Sequence, residues 1–138
     1  MATEALVRHV KGLIVLGRSG KVDEAYAGYG ALFESPEFGT YPIDERRHAI
    51  KLVVNAKSPP NRPPAALVDA HRRAIGPLQA MIQAQNEPAD YELLGICHVF
   101  VGDEGHAGDV FRQGLAIERA RNPQSVLCGS LMKWVAAV

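Results

Sequence analysis

The chain has 138 residues, of which 47% are hydrophobic and 22% charged, so it carries enough apolar material for one domain with a substantial core. Its 15 basic and 15 acidic residues give a formal net charge of zero at pH 7, which excludes a general attraction to nucleic acid or to an anionic membrane surface. No apolar run is long enough to span a bilayer, and the run at 13–16 is too short for the apolar core of a secretory signal. We therefore expect a cytoplasmic protein.

The first 18 residues have the apolar spacing of an amphipathic helix. Apolar or small residues recur at i, i+1, i+4, i+7, i+8 and i+11, namely Leu6, Val7, Val10, Leu13, Ile14 and Gly17. The segment 13–21 superficially resembles a strand that leads into a phosphate-binding loop. However, Val15 stands where that loop needs glycine and Val22 stands where it needs Ser or Thr. We therefore interpret the segment 17–20 as a helix stop before a second helix.

Two further helices are predicted in the middle of the chain, at 43–56 and 64–85. The segment Ser58–Pro64 between them is rich in proline, which suits a stiff linker that ends one helix and starts the next. Inside the second helix, the pair Gly76-Pro77 predicts a kink or a break.

The helix predicted at 43–56 also carries a cluster of polar side chains: Arg46, Arg47, His48, Lys51 and Asn55. One interpretation is an ordinary solvated helix face, opposite the apolar stripe of the same helix. The other is that Arg46, Arg47 and Lys51 form a basic rim that steers an acidic segment of a partner.

The most informative pattern begins at residue 91. Its first half places four residues in one helical stripe, namely Tyr91, Leu94, His98 and Val101. Gly95 removes a side chain from this helix, which lets a second helix approach closely. On the second helix, Ala107 and Phe111 supply a hole and a large side chain one turn apart. The segment 102–104 between the helices provides a helix stop, an N-cap and early negative charge.

Together with Pro123, these residues resemble the tetratricopeptide repeat, a pair of packed helices. The sequence departs from that pattern where His98 replaces the usual aromatic residue and where Gly114 replaces the usual alanine. The segment 20–29 repeats the turn, the small residue and the aromatic residue of 102–111. We interpret it as part of a degenerate first copy.

The resemblance implies an all-α fold, a right-handed stack of about three helical hairpins with a C-terminal capping helix. We place the hairpins at 3–36, 42–86 and 88–121 and the last helix at 124–137, all in a single domain that covers 1–138. One face of the last helix is apolar and is expected to cover the end of the final hairpin. It consists of Leu127, Leu131, Trp134 and Val138.

The resemblance also implies a function, because tetratricopeptide arrays bind other proteins on a concave surface lined by the first helix of each pair. The corresponding residues of the first helix are Val7, Lys11, Ile14 and Arg18. Those of the helix that begins near residue 91 are Glu92, Ile96, Val99 and Phe100. Most of these residues are apolar, and the asparagine and lysine set with which some family members clamp a peptide carboxylate is not found on these helices. We therefore expect an adaptor or chaperone-like module that binds an amphipathic helix or an extended apolar segment.

Two other functions remain open. The protein could self-associate through its apolar C-terminal helix, in which case replacing Trp134 by glutamate should split a dimer. Alternatively, a pocket beside His98 or His71 could bind a small molecule or support catalysis.

No motif supports a catalytic or metal site. The histidines at 9, 48, 71, 98 and 106 lack the spacing typical of zinc ligands, and no serine lies in a nucleophile elbow. The paired acids 23–24 and 103–104 open helices, where the helix dipole favours them. Cys97 and Cys128 lie in apolar helical segments and are expected to be buried and reduced. We therefore expect no enzyme activity, no metal and no cofactor.

Overall fold

The computed structural model describes residues 2–55 and 63–138, and within those ranges every regular element is helical. The all-α class predicted from the sequence is therefore confirmed. The helices are α1 (Ala2–Arg18), α2 (Val22–Glu34), α3 (Ile43–Val54), α4 (Ala65–Gln85), α5 (Pro88–Phe100), α6 (Glu104–Arg121) and α7 (Val126–Ala137), with one 3₁₀ turn at Phe38–Thr40. None of these described helices combines the length and the apolar character that crossing a membrane requires.

The chain forms two compact units, Met1–Pro77 and Leu78–Val138, where the sequence predicted one domain. The closest helix pairs are α1 with α2 in the first unit, and α5 with α6 and α6 with α7 in the second. Among the described helices, α3 and α4 do not form such a close pair, although a hairpin was predicted at 42–86.

The boundary between the units falls inside α4, at Pro77. The helix continues through this proline, so the break that was one of the two outcomes expected from Gly76-Pro77 does not occur. Because proline has no N–H, the carbonyl of Arg73 cannot receive the usual helical hydrogen bond from residue 77. The prediction of a proline-rich linker at Ser58–Pro64 falls mainly outside the described residues. From Pro64 onward the chain is described, and the Pro64 carbonyl accepts hydrogen bonds from the first turn of α4.

Two helix turns share the same hydrogen-bond pattern. After α1, the amides of Gly20 and Lys21 donate to the carbonyls of Gly17 and Leu16, at 3.2 and 3.0 Å. After α5, the amides of Gly102 and Asp103 donate in the same way to Val99 and His98, at 3.0 and 2.8 Å. Both glycines have a positive φ, 92° and 84°. Each turn is therefore a Schellman motif, which ends one helix and reverses the chain into the next.

The helices that follow these two turns, α2 and α6, also bury equivalent residues in their first turns. Ala25 and Ala107 are buried, and one turn later Tyr29 and Phe111 are buried as well. The equivalence of 20–29 with 102–111, predicted from the sequence, therefore extends to the backbone hydrogen bonds and to the burial of the same positions.

The two hairpins place their close contact on opposite helices. In the pair α5 and α6, the gap is Gly95 of α5, because a Cβ built there would lie 2.6 Å from Cδ1 and 2.7 Å from Cζ of Phe111. In the pair α1 and α2, the gap is Gly28 of α2, where a Cβ would overlap Cδ2 of Leu13. The glycines of α1, Gly12 and Gly17, make no such close contact, so the first hairpin does not depend on a gap in its first helix.

Aromatic side chains form much of the core of the first unit. Phe33 lies next to Tyr29 on α2 and next to Phe38 of the 3₁₀ turn, with ring centroids 6.2 and 5.4 Å apart. Phe38 in turn contacts Tyr41 edge to face, at 6.3 Å. This row of rings connects α2 to the start of α3 and so fixes the segment that carries the candidate site described below.

His71 of α4 is fully buried, and its Nδ1 lies 2.7 Å from the Leu67 carbonyl. Burial lowers the pKa of His71, and the hydrogen bond to Leu67 opposes that effect. A depressed pKa means that the unfolded chain binds the proton more tightly than the folded one. The free energy of unfolding should therefore be unaffected by this group above about pH 6.5 and should fall as the pH drops below that value.

Urea denaturation at neutral and mildly acidic pH measures this effect. We expect the loss of stability on acidification to be smaller in His71→Gln than in the wild type. His9→Gln, which changes an exposed histidine, is the control and should behave like the wild type. Equal pH dependence in all three proteins would show that His71 does not titrate differently on folding.

The last helix, α7, packs on α6 in the way the sequence predicts. Leu131 is fully buried, and the Trp134 ring stacks on Phe111 with centroids 5.1 Å apart. At the start of α7, Ser125 accepts a hydrogen bond from the Cys128 amide at 3.0 Å. Its hydroxyl also donates to the buried carboxylate of Glu118 on α6, at 2.7 Å. One side chain therefore both caps α7 and joins it to α6.

Ser125→Ala should lower the free energy of unfolding by about 1–2 kcal/mol, because it removes a helix cap and a donor to a buried carboxylate. Ser125→Thr keeps both hydrogen bonds and should cost little. Ser125→Asp keeps the capping oxygen but places a second carboxylate beside Glu118, so it should not restore stability at neutral pH. Urea denaturation followed by circular dichroism measures all three, and full stability of the aspartate variant would contradict the role given to Glu118.

Candidate functional site

An apolar groove lies between α1 and α3 in the first unit. It has a volume of about 370 Å³. From α1 it is lined by Leu6, Val7, Val10, Lys11 and Ile14. From α3 it is lined by Asp44, Glu45, His48, Ala49 and Leu52. Both sets follow the same spacing, i, i+1, i+4, i+5 and i+8, so the groove runs along one face of each helix.

The shape of this groove follows from that spacing. Eight residue steps at a rise of about 1.5 Å give a length of about 12 Å along each helix, a little more than two turns. The bottom of the groove is formed by core residues, among them Leu6 and Ala49, which are buried. Its edge includes Val7, which is 45% exposed and so presents apolar surface to solvent.

The charges at the groove come from both helices. Lys11 lies on the α1 side, and Asp44 and Glu45 lie on the α3 side. Asp44 is paired with Arg47, one turn further along α3, at 2.9 Å. Oε2 of Glu45 differs, because it is shielded from solvent and has no hydrogen-bond partner in the described part of the chain. A carboxylate oxygen in that position is stabilised by any donor that enters the groove.

Three of the four α1 residues predicted to line a binding groove, Val7, Lys11 and Ile14, do line this one. Arg18 does not. It lies exposed in the last turn of α1, beyond the end of the groove.

The basic rim predicted at Arg46, Arg47 and Lys51 is not formed as expected. The Arg47 side chain is largely buried and bonded to Asp44, and Nε of Arg46 is shielded from solvent. Only Lys51 is exposed. None of the three lines the groove, whose α3 side is acidic instead. The sequence pattern could not show this, because the arginine stems are covered by packing and one of the two charges is neutralised by an acid on its own helix.

The face of α5 that was predicted to point outward is largely buried. Ile96 is only 8% exposed, so the prediction that it faces outward is wrong. The physical reason is that every residue from Leu93 to His98 is buried, which leaves this part of α5 without a solvent face. Val99 and Phe100, at the end of the helix, are partly exposed. Glu92 accepts a hydrogen bond from the Ser130 hydroxyl, so its carboxylate is held by α7.

The apolar face of α7 is mostly used within the chain. Because Trp134 stacks on Phe111, replacing it by glutamate would disturb the packing of α6 and α7 and could not serve as a clean test of self-association. The large apolar residues that α7 leaves exposed are Val126, at 91%, and Met132.

The pockets predicted beside His71 or His98 do not coincide with the groove, which neither residue lines. Cys97 and Cys128 are both buried and free, as expected. Burial raises the pKa of the Cys97 thiol to about 12, so this thiol stays protonated at neutral pH and is a poor nucleophile or ligand.

The structure brings together one cluster that the sequence spacing did not reveal. His98, Asp103 and His106 offer one ligand atom each, and these atoms lie within 4.8 Å of one another. The Asp103 carboxyl has a lowered pKa, because the backbone N–H of His106 donates to it. Partial burial, and then the neighbouring His106, lower the pKa of His98. The missed signal was the helix stop at 102–104, which folds residue 106 back towards residue 98.

Comparison with protein-family models, with curated proteins and with solved structures found no match to this chain.

Proposed function

We propose that the protein is an interaction module, and that its groove between α1 and α3 binds an amphipathic helix of a partner protein. The observation that carries this proposal is the groove itself, a trough with an apolar base and charged groups at its edges. No catalytic step is involved. Adaptor or chaperone-like roles in the cytoplasm are compatible with such a module.

The dimensions favour a helix over a compact metabolite. The groove extends for about 12 Å along two neighbouring helices, which matches two turns of a third helix laid beside them. A helix bound in this way inserts apolar side chains at positions i, i+3 or i+4, and i+7, which repeat over that same length. Val7 and Ile14, seven residues apart on α1, lie at the distance needed to contact both ends of such a stripe.

The electrostatics narrow the choice of partner. Burying the Oε2 atom of Glu45 without a hydrogen bond is unfavourable, and a lysine or arginine of the partner would compensate it. Lys11 on the opposite side can pair with an acidic residue of the same partner. The expected ligand is therefore an amphipathic helix that carries a basic residue at the edge of its apolar stripe.

The resemblance to tetratricopeptide repeats supports the same proposal. Two hairpins whose helices are joined by the same Schellman turn, each with a glycine gap between its helices, are the kind of unit from which such arrays are built. In such arrays the ligand lies against the first helices of successive pairs. Helix α1 is the first helix of the first hairpin, and α3 was predicted to be the first helix of the second, although the described residues of α3 and α4 do not form a close pair.

Site-specific photo-crosslinking tests the proposal and identifies the partner. A benzophenone amino acid at Leu52, inside the groove, should capture a segment of another protein in host cells, and mass spectrometry locates that segment. The control position is Val15, which is 64% exposed on α1 but does not line the groove. A segment captured at both positions, or at neither, would contradict the groove as the binding site.

The captured segment is then synthesised and titrated against purified variants. Val7→Asp should weaken binding at least tenfold, because it places a charge on the apolar edge. Val15→Asp makes the same change on the same helix outside the groove and should bind like the wild type. Glu45→Gln keeps the size of the side chain but removes its charge, and it should weaken a peptide with a basic residue more than the same peptide with that residue replaced by norleucine. Equal affinity for all variants would overturn the proposal.

A further inference from the structure

The turn between α5 and α6 holds a second cluster of chemically active side chains. His98 lies near the end of α5, Asp103 is the N-cap of α6, and His106 lies in the first turn of α6. The Schellman hydrogen bond from the Asp103 amide to the His98 carbonyl, 2.8 Å long, fixes the backbone between them. The three side chains are therefore placed by a short, rigid turn.

The geometry within the cluster is close. The His98 and His106 rings are stacked, with centroids 5.0 Å apart and planes 11° from parallel. Nδ1 of His106 lies 3.0 Å from Oδ2 of Asp103. The second carboxylate oxygen, Oδ1, accepts the backbone amide of His106 at 3.2 Å. The Asp103 carboxylate is thus oriented by the start of α6 and presents its other oxygen to the His106 imidazole.

We propose that His98, Asp103 and His106 form a binding site for a single zinc-class transition-metal ion at the α5–α6 turn. Two imidazole nitrogens and one carboxylate oxygen are a ligand set that suits Zn²⁺ and leaves a fourth position open to water or to another ligand.

The distances are compatible with such a site. Bonds of about 2.0–2.1 Å in a tetrahedral arrangement place ligand atoms about 3.3 Å apart. The three ligand atoms, which lie within 4.8 Å of one another, need to approach by at most about 1.5 Å to reach that separation. Asp103 and His106 are exposed, so a metal ion can reach them from solvent and their side chains can rotate. The His106 ring must turn out of its stack on His98, because stacked parallel rings do not direct their nitrogen lone pairs at one ion. His98 is buried and already held in place.

The bound ion would join the end of α5 to the start of α6 through side chains. An ion that binds the folded state but not the unfolded state stabilises the folded state. This stabilisation grows with the logarithm of the ratio of the free metal concentration to the dissociation constant. Metal should therefore raise the thermal midpoint of the second unit. The sequence has a single tryptophan, Trp134, which lies in that unit and reports its unfolding by fluorescence.

The test adds Zn²⁺ alone to the purified full chain. Isothermal titration calorimetry measures binding, and Trp134 fluorescence measures the thermal midpoint of unfolding. Co²⁺ serves as a spectroscopic probe, because tetrahedral Co²⁺ bound to a protein absorbs visible light much more strongly than octahedral Co²⁺ in water. We expect one Zn²⁺ per chain, a higher midpoint, and tetrahedral Co²⁺ bands.

Two variants change the site while preserving the fold. His106→Ala alters an exposed residue, and Asp103→Asn keeps an N-cap for α6 but removes the ligand charge. Each should weaken Zn²⁺ binding at least tenfold and abolish the rise in thermal midpoint. His9→Ala and His48→Ala remove exposed histidines elsewhere and should bind like the wild type. Absence of 1:1 binding by the wild type, or equal binding by wild type, His106→Ala and Asp103→Asn, would overturn the proposal.

Discussion

Phe111→Ala is expected to lower the free energy of unfolding of the second unit by about 3–5 kcal/mol. The ring is fully buried, fills the gap at Gly95 on α5 and stacks on Trp134 of α7. Its removal opens a cavity where three helices meet and also ends an aromatic contact, which is worth about 0.5–1.5 kcal/mol beyond the buried area. Urea denaturation followed by circular dichroism measures the change.

Phe111→Leu is the matched control, because it keeps much of the volume but loses the aromatic stack. It should cost distinctly less than the alanine variant. If Phe111→Ala cost under about 1 kcal/mol, then either the surroundings collapse fully into the space or the ring is not a central contact.

Gly95→Ala is also expected to lower the free energy of unfolding substantially. Phe111→Ala leaves a cavity, whereas Gly95→Ala overpacks the same contact. The new Cβ would lie 2.6 and 2.7 Å from two ring atoms of Phe111, closer than carbon atoms can approach. Phe111 cannot simply turn away, because it is stacked on Trp134. The helices must separate or the ring must shift, so we expect a loss of about 1–3 kcal/mol.

Gly129→Ala provides the control, because it makes the same substitution in α7 at a position where a Cβ meets nothing within 4 Å. Since alanine favours a helix interior over glycine by about 1 kcal/mol, this variant should be more stable than the wild type. The double variant Gly95→Ala with Phe111→Leu should recover part of the loss, because the smaller side chain gives the new methyl group room. A loss in Gly129→Ala as large as in Gly95→Ala would contradict the close contact of α5 with α6.

Local sequence signals predicted the helices and one contact well. Apolar spacing and the likeness of 20–29 to 102–111 predicted the α-helices of the described residues, but not the 3₁₀ turn at Phe38–Thr40. The pair Gly95 and Phe111 was identified as a gap and a filling side chain. Both succeed because they depend on residues close in sequence and on one hairpin. The equivalence of the turns at Gly20 and Gly102 was found in the same way.

Features that depend on how helices pack were harder to predict. Ile96 was expected to face outward, because the pattern of α5 shows which side contacts α6 but not that the helix is covered on its other sides. The shielded Oε2 of Glu45 and the buried stem of Arg47 depend on side chains placed by packing. The cluster of His98, Asp103 and His106 was missed because zinc spacing rules count residues along the chain, whereas here a turn brings them together.

The Schellman turns also bear on how fast the chain can fold. Each reverses the chain within about three residues, so the helices of a hairpin meet with little loop to close and little chain entropy to lose. Contacts of this local kind are typical of helical proteins that fold in microseconds to milliseconds. Because glycine adopts the left-handed backbone conformation without steric cost, Gly20 and Gly102 allow each hairpin to close without a strained turn.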